Sequence, residues 1–194
     1  MPDVKHFDRA DVLSTVERLF WRQGVAATGI HDIVTATGLS RSSLYNAFGN
    51  KEDLYLAALQ RYLDQRSEPM FNRLAADSRG LPAISAFFDR LLRLRCTGEH
   101  ARWGCLISNA HTEQPDEAAR RLLDRHHDGL RAAFTTALEV ASSKKQLRAD
   151  LDPTGAAEFL TVLAYGVNLR SRSGARRADL QTAVQTALRS LIPA

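Results

Sequence analysis

The sequence has few cysteines, no long hydrophobic run and no strong excess of either charge. Its 194 residues include two cysteines, Cys96 and Cys105, too few for a disulfide framework, which favours free thiols in a reducing compartment. No window approaches the ~20 consecutive apolar residues that a membrane-spanning helix needs. Residues 1–7 are too short and too polar to be the apolar part of a signal peptide. We therefore expect a cytoplasmic protein with no membrane partner.

The charge balance gives little support for binding a polyanion. Lys and Arg number 26 against 22 Asp and Glu, for a net charge of +4. The first 64 residues contain seven basic and eight acidic side chains, a formal charge of −1. Any nucleic-acid binding by this segment must therefore be argued from individual residues rather than from charge totals.

Helical periodicity runs through nearly the whole chain, and no stretch alternates apolar and polar residues for long enough to indicate a strand. Polar caps and glycines predict a helix from Asp8 to Gly24, two short helices on either side of Gly38, and a longer one from Lys51. Later helices are predicted at residues 82–95, 105–111, 116–144, 153–169 and 178–191. We expect an all-α protein of about nine helices. Its predicted parts are a helix-turn-helix domain at 1–50, a linking helix at 51–71 and a C-terminal bundle at 72–194.

The most informative pattern lies in residues 28–48. Gly38 permits a positive φ between two short helices, and a short turn containing glycine sets the two helices of a helix-turn-helix at a steep angle. Leu44 and Phe48 share the inner side of the second helix, so its outer side carries hydrogen-bonding residues. Arginine and asparagine can bond base edges bidentately, and hydroxyls suit phosphates. The predicted DNA contacts are Thr28, Ser40, Arg41, Ser42, Ser43, Tyr45, Asn46 and Lys51.

Residues 8–64 resemble the TetR family of bacterial repressors. The matching residues are Thr28, Ile33, the Gly38-Leu39-Ser40 turn, the run Leu44-Tyr45-Asn46-Ala47-Phe48 and the run Asn50-Lys51-Glu52-Asp53-Leu54. The resemblance implies a homodimer that reads a double-stranded DNA operator with the helix beginning near Ser40, and a phosphate contact from Lys51. Val34 and Thr37 stand where the family usually has alanine, which affects the packing of the supporting helix.

The resemblance also implies that the C-terminal bundle holds an effector pocket and the dimer interface. Aromatic and apolar residues at helical spacing in this bundle could line the pocket, although such stripes more often form helical core. A ligand cavity also needs a few polar groups. The pocket candidates are Phe88, Leu92, Trp103, Cys105, Asn109, Phe134 and Tyr165. The dimer candidates recur at helical spacing in the last two helices, as expected for a four-helix bundle of two subunits. They are Leu160, Leu163, Val167, Leu180, Val184, Leu188 and Leu191.

The segment around Cys105 is similar to one in a subgroup of these regulators in which a cysteine senses oxidants or electrophiles. A sensor thiol needs a lowered pKa and solvent access, and Arg102 and a helix N-terminus would favour the thiolate. Leu106 and Ile107 follow directly, however, and a buried cysteine is usually a small hydrophobic residue. The sequence leaves both interpretations open.

The expected function is a repressor that an unidentified small-molecule effector releases from a palindromic operator. The alternatives are a thiol sensor acting through Cys105 and, in another class, an interaction module whose helix-turn-helix no longer reads DNA. A helical enzyme is disfavoured because no activated nucleophile, carboxylate pair or phosphate loop stands out. Adjacent His126 and His127 point about 100° apart on a helix, so they do not share one metal easily. We expect neither a metal nor another cofactor.

Overall fold

The computed structural model describes residues 7–193, which form helices and no strand. The helices are α1 (Arg9–Gln23), α2 (Ile30–Thr37), α3 (Arg41–Phe48), α4 (Lys51–Tyr62), a π-helical segment (Leu63–Ser67), α5 (Glu68–Ala75), α6 (Leu81–Cys96), α7 (Leu106–Ala110), α8 (Glu117–Ser143), α9 (Pro153–Arg172) and α10 (Arg177–Arg189). Helix α4, the π segment and α5 are continuous, so the described residues form nine helices. The prediction of an all-α chain of about nine helices is confirmed. None of the helices in this part of the chain is long and apolar enough to span a membrane.

Local side-chain chemistry sets the ends of the first helices. The Asp8 carboxylate accepts a hydrogen bond from the N–H of Ala10 at the start of α1. Gly38 ends α2 in the left-handed region, at φ 69° and ψ 9°. The Ser40 hydroxyl caps α3, and Asn50 starts α4 through reciprocal hydrogen bonds with Asp53. These caps satisfy N–H groups that a helix start otherwise leaves without partners.

The linking helix is continuous from residue 51 to residue 75 and widens in the middle. The N–H of Glu68 donates to the carbonyl of Leu63, five residues back, which is the π pattern. Pro69 follows at the start of α5 and has no N–H to return to the preceding turn. The widened turn therefore accommodates a proline inside a continuous helix. It also places Arg66 over the Trp21 ring, 4.9 Å from the ring centroid.

Residues 7–193 form two hydrophobic cores. The first joins α1–α4 with α7 and the start of α8, and it includes Phe20, Ile33, Leu44 and Ile107. The second lies among α5, α6, α8, α9 and α10 around Phe88. Because α7 packs into the first core, residues far along the chain support the helix-turn-helix.

The predicted dimer residues lie mainly in the second core. Five of them are buried within their own chain, so they are not available to a second subunit: Leu160, Val167, Leu180, Val184 and Leu191. Leu163 and Leu188 are partly buried against the same core. The outer face of α9 instead exposes Phe159, Val162 and Leu169. The apolar residues do recur at helical spacing, but this spacing reflects the packing of α9 and α10 on α6 and α8 within one chain.

Two glycines with positive φ offer a matched test of this packing. Gly38 (φ +69°) has open space where a Cβ would lie, whereas a Cβ on Gly80 (φ +77°) would lie 2.8 Å from Ala141 Cα. We expect Gly38→Ala to lower the free energy of unfolding by about 1–2 kcal/mol through backbone strain alone. Gly80→Ala should cost a further ~1–3 kcal/mol because α6 must move away from α8. Urea denaturation of both variants measures the difference, and equal losses would contradict the close approach at Gly80.

Candidate nucleic-acid interface and cavity

Helix α3 presents a polar outer face beside the Gly38 turn. Leu44 is buried beneath it, while Arg41, Ser42, Tyr45 and Asn46 are exposed. The Arg41 guanidinium lies 5.2 Å from the centroid of the Tyr45 ring, so the two side chains form one cation–π pair. A helix with such a face can enter a major groove, where arginine and asparagine side chains bond the edges of bases.

The other predicted contacts surround this face, with one correction. Ser40 Oγ lies 3.0 Å from Ser42 Oγ and 2.9 Å from Ser43 Oγ, so these hydroxyls bond one another at the start of α3. Lys51 is the first residue of α4 and is partly exposed. Thr28 is fully buried, and its hydroxyl donates to the carbonyl of Gly24 at 2.7 Å. The prediction that Thr28 caps α2 and contacts DNA is therefore wrong.

Gly29 takes the place predicted for Thr28 as N-cap of α2. Its N–H donates to Asp32 Oδ2 at 2.8 Å. A glycine cap has no side chain that a sequence pattern can recognise. The preference for a Ser, Thr, Asp or Asn cap therefore selected Thr28, one residue before the true N-cap.

A cavity of about 350 Å³ lies where the linking helix meets the bundle. Its inner wall consists of buried side chains from α1, α4, α5, α6, α8, α9 and the segment before α7. Its outer wall consists of exposed residues from the π-helical segment, α5, α6 and the loop that follows α6. The inner wall includes Trp21, Tyr62, Arg95, Cys105, His126 and Asn168. The volume falls in the range of small-molecule sites, ~300–1,000 Å³.

The polar centre of the inner wall is the Arg95 guanidinium. Arg95 is 6% exposed. Its Nε donates to Asn168 Oδ1 at 2.6 Å, and its Nη2 donates to Tyr62 Oη at 3.2 Å. Burial raises the pKa of Tyr62, so the phenol is neutral when it accepts this hydrogen bond. Among the residues that the structure describes, no ion pair joins Arg95 to a carboxylate.

Cys105 lies beside Arg95, directly before α7. Burial by itself raises the pKa of the thiol. The hydrogen bond and positive charge of His126, the charge of Arg95 and the N–H of Ser108 outweigh burial and lower the pKa from 9.0 to about 5. The His126 ring is oriented by Tyr165, whose Oη lies 3.1 Å from Nδ1. The cavity wall therefore favours a thiolate at neutral pH.

The remaining pocket candidates do not line this cavity. Phe88 and Phe134 stack in the core with ring centroids 5.7 Å apart, and Leu92 is buried with them. Trp103 packs edge-on against Trp21. Of the seven candidates, Cys105 alone belongs to the cavity wall. Tyr165 lies behind the wall and is hydrogen-bonded to its residue His126.

Trp103 and Asn109, two of the predicted pocket residues, instead belong to a hydrogen-bond network at the end of α1. Asn109 Nδ2 donates to the carbonyl of Trp103 at 2.8 Å, and Trp21 Nε1 donates to the carbonyl of Gly104 at 3.1 Å. Arg172, at the end of α9, donates to the carbonyls of Trp21 and Trp103 at 3.1 and 2.9 Å. The end of α1, the segment before α7 and the end of α9 therefore share one hydrogen-bond network.

Sequence reasoning missed Arg95, although a signal for it existed. Arg95 continues the apolar stripe of α6 in the register of Phe88, Leu91 and Leu92. A charged residue on a buried helical stripe is rarely tolerated without partners, so it marks a polar site. In the described part of the chain, no three His, Cys, Asp or Glu side chains come close enough to hold a metal.

Comparison with known proteins gives consistent matches. Residues 12–58 match the bacterial regulatory proteins of the tetR family, and residues 80–187 match the tetracyclin repressor-like C-terminal domain. The HTH-type transcriptional repressor ComR of Escherichia coli (strain K12) is 31% identical over 192 residues, covering 95% of this chain and 89% of ComR. A cysteine-substituted form of the regulator CifR, solved with 26-base-pair operator DNA, has a TM-score of 0.83 at 25% identity, covering 98% of this chain and 99% of that one. The reduced form of Escherichia coli NemR shares the fold, with a TM-score of 0.81 at 23% identity over 95% of this chain and 96% of that one.

The network at Arg172 can be tested against its exposed neighbour on the same helix. We expect Arg172→Met to lower the free energy of unfolding by about 1–3 kcal/mol, because the carbonyl of Trp21 loses its donor. Arg170→Met should change it by less than ~0.5 kcal/mol, since that side chain is exposed. Chemical denaturation compares the two variants. A similar small change in both would show that the network adds nothing to stability.

Proposed function

The chain belongs to the TetR family of bacterial regulatory proteins and is a DNA-binding transcriptional regulator; on that premise we propose that it is a cytoplasmic, homodimeric repressor that a small molecule releases from a palindromic operator. The observation that carries this proposal is that the cavity and the helix-turn-helix share structural parts. Trp21 and Tyr62 line the cavity, yet they belong to α1 and α4, the helices that hold α2 and α3.

A ligand in the cavity touches the supports of the recognition helix directly. Trp21 and Tyr62 pack edge-on, with ring centroids 5.1 Å apart, at the ends of α1 and α4. A ligand that fits better when these ends are separated stabilises that arrangement by its differential affinity for the two states. The positions of the two α3 helices in a dimer then no longer match two half-sites about 34–36 Å apart.

The outer face of α9 supports the dimer. Phe159, Val162 and Leu169 are exposed, with Val162 57% accessible. Gly166 lies on the same face, and a Cβ added to it would meet no other atom within 4 Å. An apolar stripe beside a small residue allows two helices to approach closely, which a two-fold interface requires. We propose this face, and not the buried leucines of α9 and α10, as the contact between subunits.

Cys105 supports a second candidate function, a regulator that senses electrophiles. The thiolate sulfur would attack the β-carbon of an α,β-unsaturated carbonyl compound. A C–S bond forms, the C=C electron pair moves toward the carbonyl, and the resulting enolate takes a proton from water. The neutral thioether removes the negative charge beside Arg95, which leaves the guanidinium among neutral partners. This loss of a counter-charge would favour rearrangement of the cavity.

Selection from random-sequence DNA at a stated salt concentration tests the repressor proposal. Wild-type protein should select a palindrome. Arg41→Ala should relax base preference at one position of each half-site by ~1–3 kcal/mol. Lys51→Ala should weaken all sequences alike and reduce the salt dependence of log K by about one per subunit.

The matched control for these variants is Arg121→Ala, on the exposed side of α8. It should change neither specificity nor salt dependence. If wild-type protein selects no sequence, the chain is instead an interaction module that has lost DNA reading. Equal loss of specificity in both α3 and α4 variants would contradict the separate roles of Arg41 and Lys51.

The pH dependence of thiol alkylation tests the electrophile candidate, with Cys96 as an internal control. Thiolate reacts and thiol does not, so the rate at Cys105 should rise through pH 5 and level off below pH 7. Burial raises the pKa of Cys96, so its rate should still be rising above pH 9. Mass spectrometry of the alkylated peptides follows both residues in one sample.

Two variants separate the thiolate from its consequences. His126→Gln removes a positive charge and a hydrogen bond, so the plateau at Cys105 should shift to higher pH. Cys105→Ser should abolish release of operator DNA by the electrophile. Parallel pH profiles for the two cysteines, or undiminished release from Cys105→Ser, would end this candidate.

A further inference from the structure

The walls of the cavity carry an unusual excess of arginine. The charged residues that line it are Arg66, Arg73, Arg90, Arg95 and the single carboxylate Glu99. Arg66 is already paired with the buried Glu17 at 2.9 Å. The other three arginines outnumber Glu99 and the Cys105 sulfur, so an excess of at least one positive charge remains even when Cys105 is ionised.

Arg95 supplies this charge at the closed end of the cavity. A guanidinium carries five N–H donors, and its two hydrogen bonds to side chains use one donor on each of two nitrogens. Both acceptors, Asn168 and Tyr62, are neutral, and the negative charge beside the guanidinium is that of the Cys105 sulfur when this residue is ionised. A buried charge is costly unless a counter-charge and further hydrogen bonds compensate it. The geometry therefore leaves the guanidinium able to accept an anion from the cavity.

Arg73 and Arg90 supply charge at the open end. Both are exposed, and both also line a neighbouring groove between α5 and α6 that contains Arg79 and Arg93. Arg79 is paired with Asp77 at 2.6 Å. No ion pair involves Arg73 or Arg90 among residues 7–193. Charges of one sign at the mouth of a cleft raise the local concentration of ligands of the opposite sign.

The space between these charged ends is apolar. Phe71, Phe87, Leu91 and Leu130 line it, and all four are buried. An inorganic anion would leave these surfaces uncovered, whereas an aromatic or short aliphatic body would cover them.

We infer that the cavity binds an organic anion whose charged group is held by Arg95 and whose apolar body packs against Phe71, Phe87 and Leu130. This inference rests on the proposed function only in taking the cavity as the effector site. The ligand class follows from the lining alone.

Two fluorescent probes with the same rings test the inference. 1-Anilinonaphthalene-8-sulfonate carries a sulfonate, and N-phenyl-1-naphthylamine lacks it. In fluorescence titrations of the full chain without DNA, the sulfonate should bind roughly tenfold or more tightly than the neutral probe, a difference of about 1.4 kcal/mol or more. Arg95→Met should remove this preference, so that the ratio of the two affinities falls to about one.

Two further variants make the test specific. Arg90→Met, at the exposed mouth, should weaken only the sulfonate, by roughly threefold, and it remains informative if Arg95→Met does not fold. Arg121→Met, an exposed arginine of α8 away from the cavity, should change neither affinity. Equal affinity of the wild-type protein for both probes, or the same sulfonate affinity in all three variants, would overturn the inference.

The operator experiment is read separately. If the sulfonate binds through Arg95 but operator affinity is unchanged, the ligand class stands and effector-induced release fails. If the sulfonate shows no advantage while other small molecules release the operator, release stands and the anionic ligand class fails.

Discussion

The arrangement of the cavity depends on one buried guanidinium, which donates to two neutral side chains and lies beside the Cys105 sulfur. Arg95 extends from α6, donates to Asn168 of α9 and Tyr62 of α4, and lies 5.8 Å from the centroid of the Trp21 ring of α1. A buried charge makes each of these contacts costly to lose, because no carboxylate among residues 7–193 forms an ion pair with Arg95. Four helices from both hydrophobic cores are thereby held in one geometry around a space that a ligand can enter. The geometry of this site can therefore respond to a ligand. Any group that binds Arg95 more strongly competes with the contacts that hold the helices together.

The ends of α1 and α4 carry this geometry to the recognition helix. The Trp21 indole donates to the segment before α7, and Arg172 of α9 donates to the carbonyl of Trp21. The widened turn before Pro69 brings Arg66 onto the other face of the same region, where Glu17 holds it. The helix-turn-helix is therefore connected to the bundle through two helix ends that meet at the cavity, and a rotation at either end reaches α3 through the packed core of Phe20, Ile33 and Leu44. Packed cores switch between discrete arrangements more readily than they deform, which is how a small change at a ligand becomes a change in spacing.

Local chemistry in the sequence was sufficient for the helices and insufficient for the cavity. Caps such as Asp8, Ser40 and Asn50 and the glycine at 38 act within a few residues, so the helix-turn-helix could be predicted almost to its ends. Thr28 was misplaced because a glycine cap leaves no side-chain signal. The apolar stripe of α9 and α10 was found, but periodicity does not distinguish a face that packs inside the chain from one that meets a second chain, so Leu160 and Val184 were assigned to the wrong contact. Arg95 escaped because its role depends on residues 33 and 73 positions away that only the folded chain brings together.

The distribution of charge relates DNA binding to ligand binding. The first 64 residues sum to −1, so the net charge of +4 comes from the remainder of the chain, and part of that positive charge surrounds the cavity rather than α3. A DNA-binding unit without excess positive charge gains little from general attraction to phosphates, which normally supplies most of the affinity for non-sequence-specific DNA. In the proposed repressor, the complex with an operator relies on the few contacts of α3 and the start of α4, made by two subunits at a fixed spacing. If release follows the proposed mechanism, a modest difference in ligand affinity between two arrangements of α1 and α4 shifts the balance between bound and free DNA.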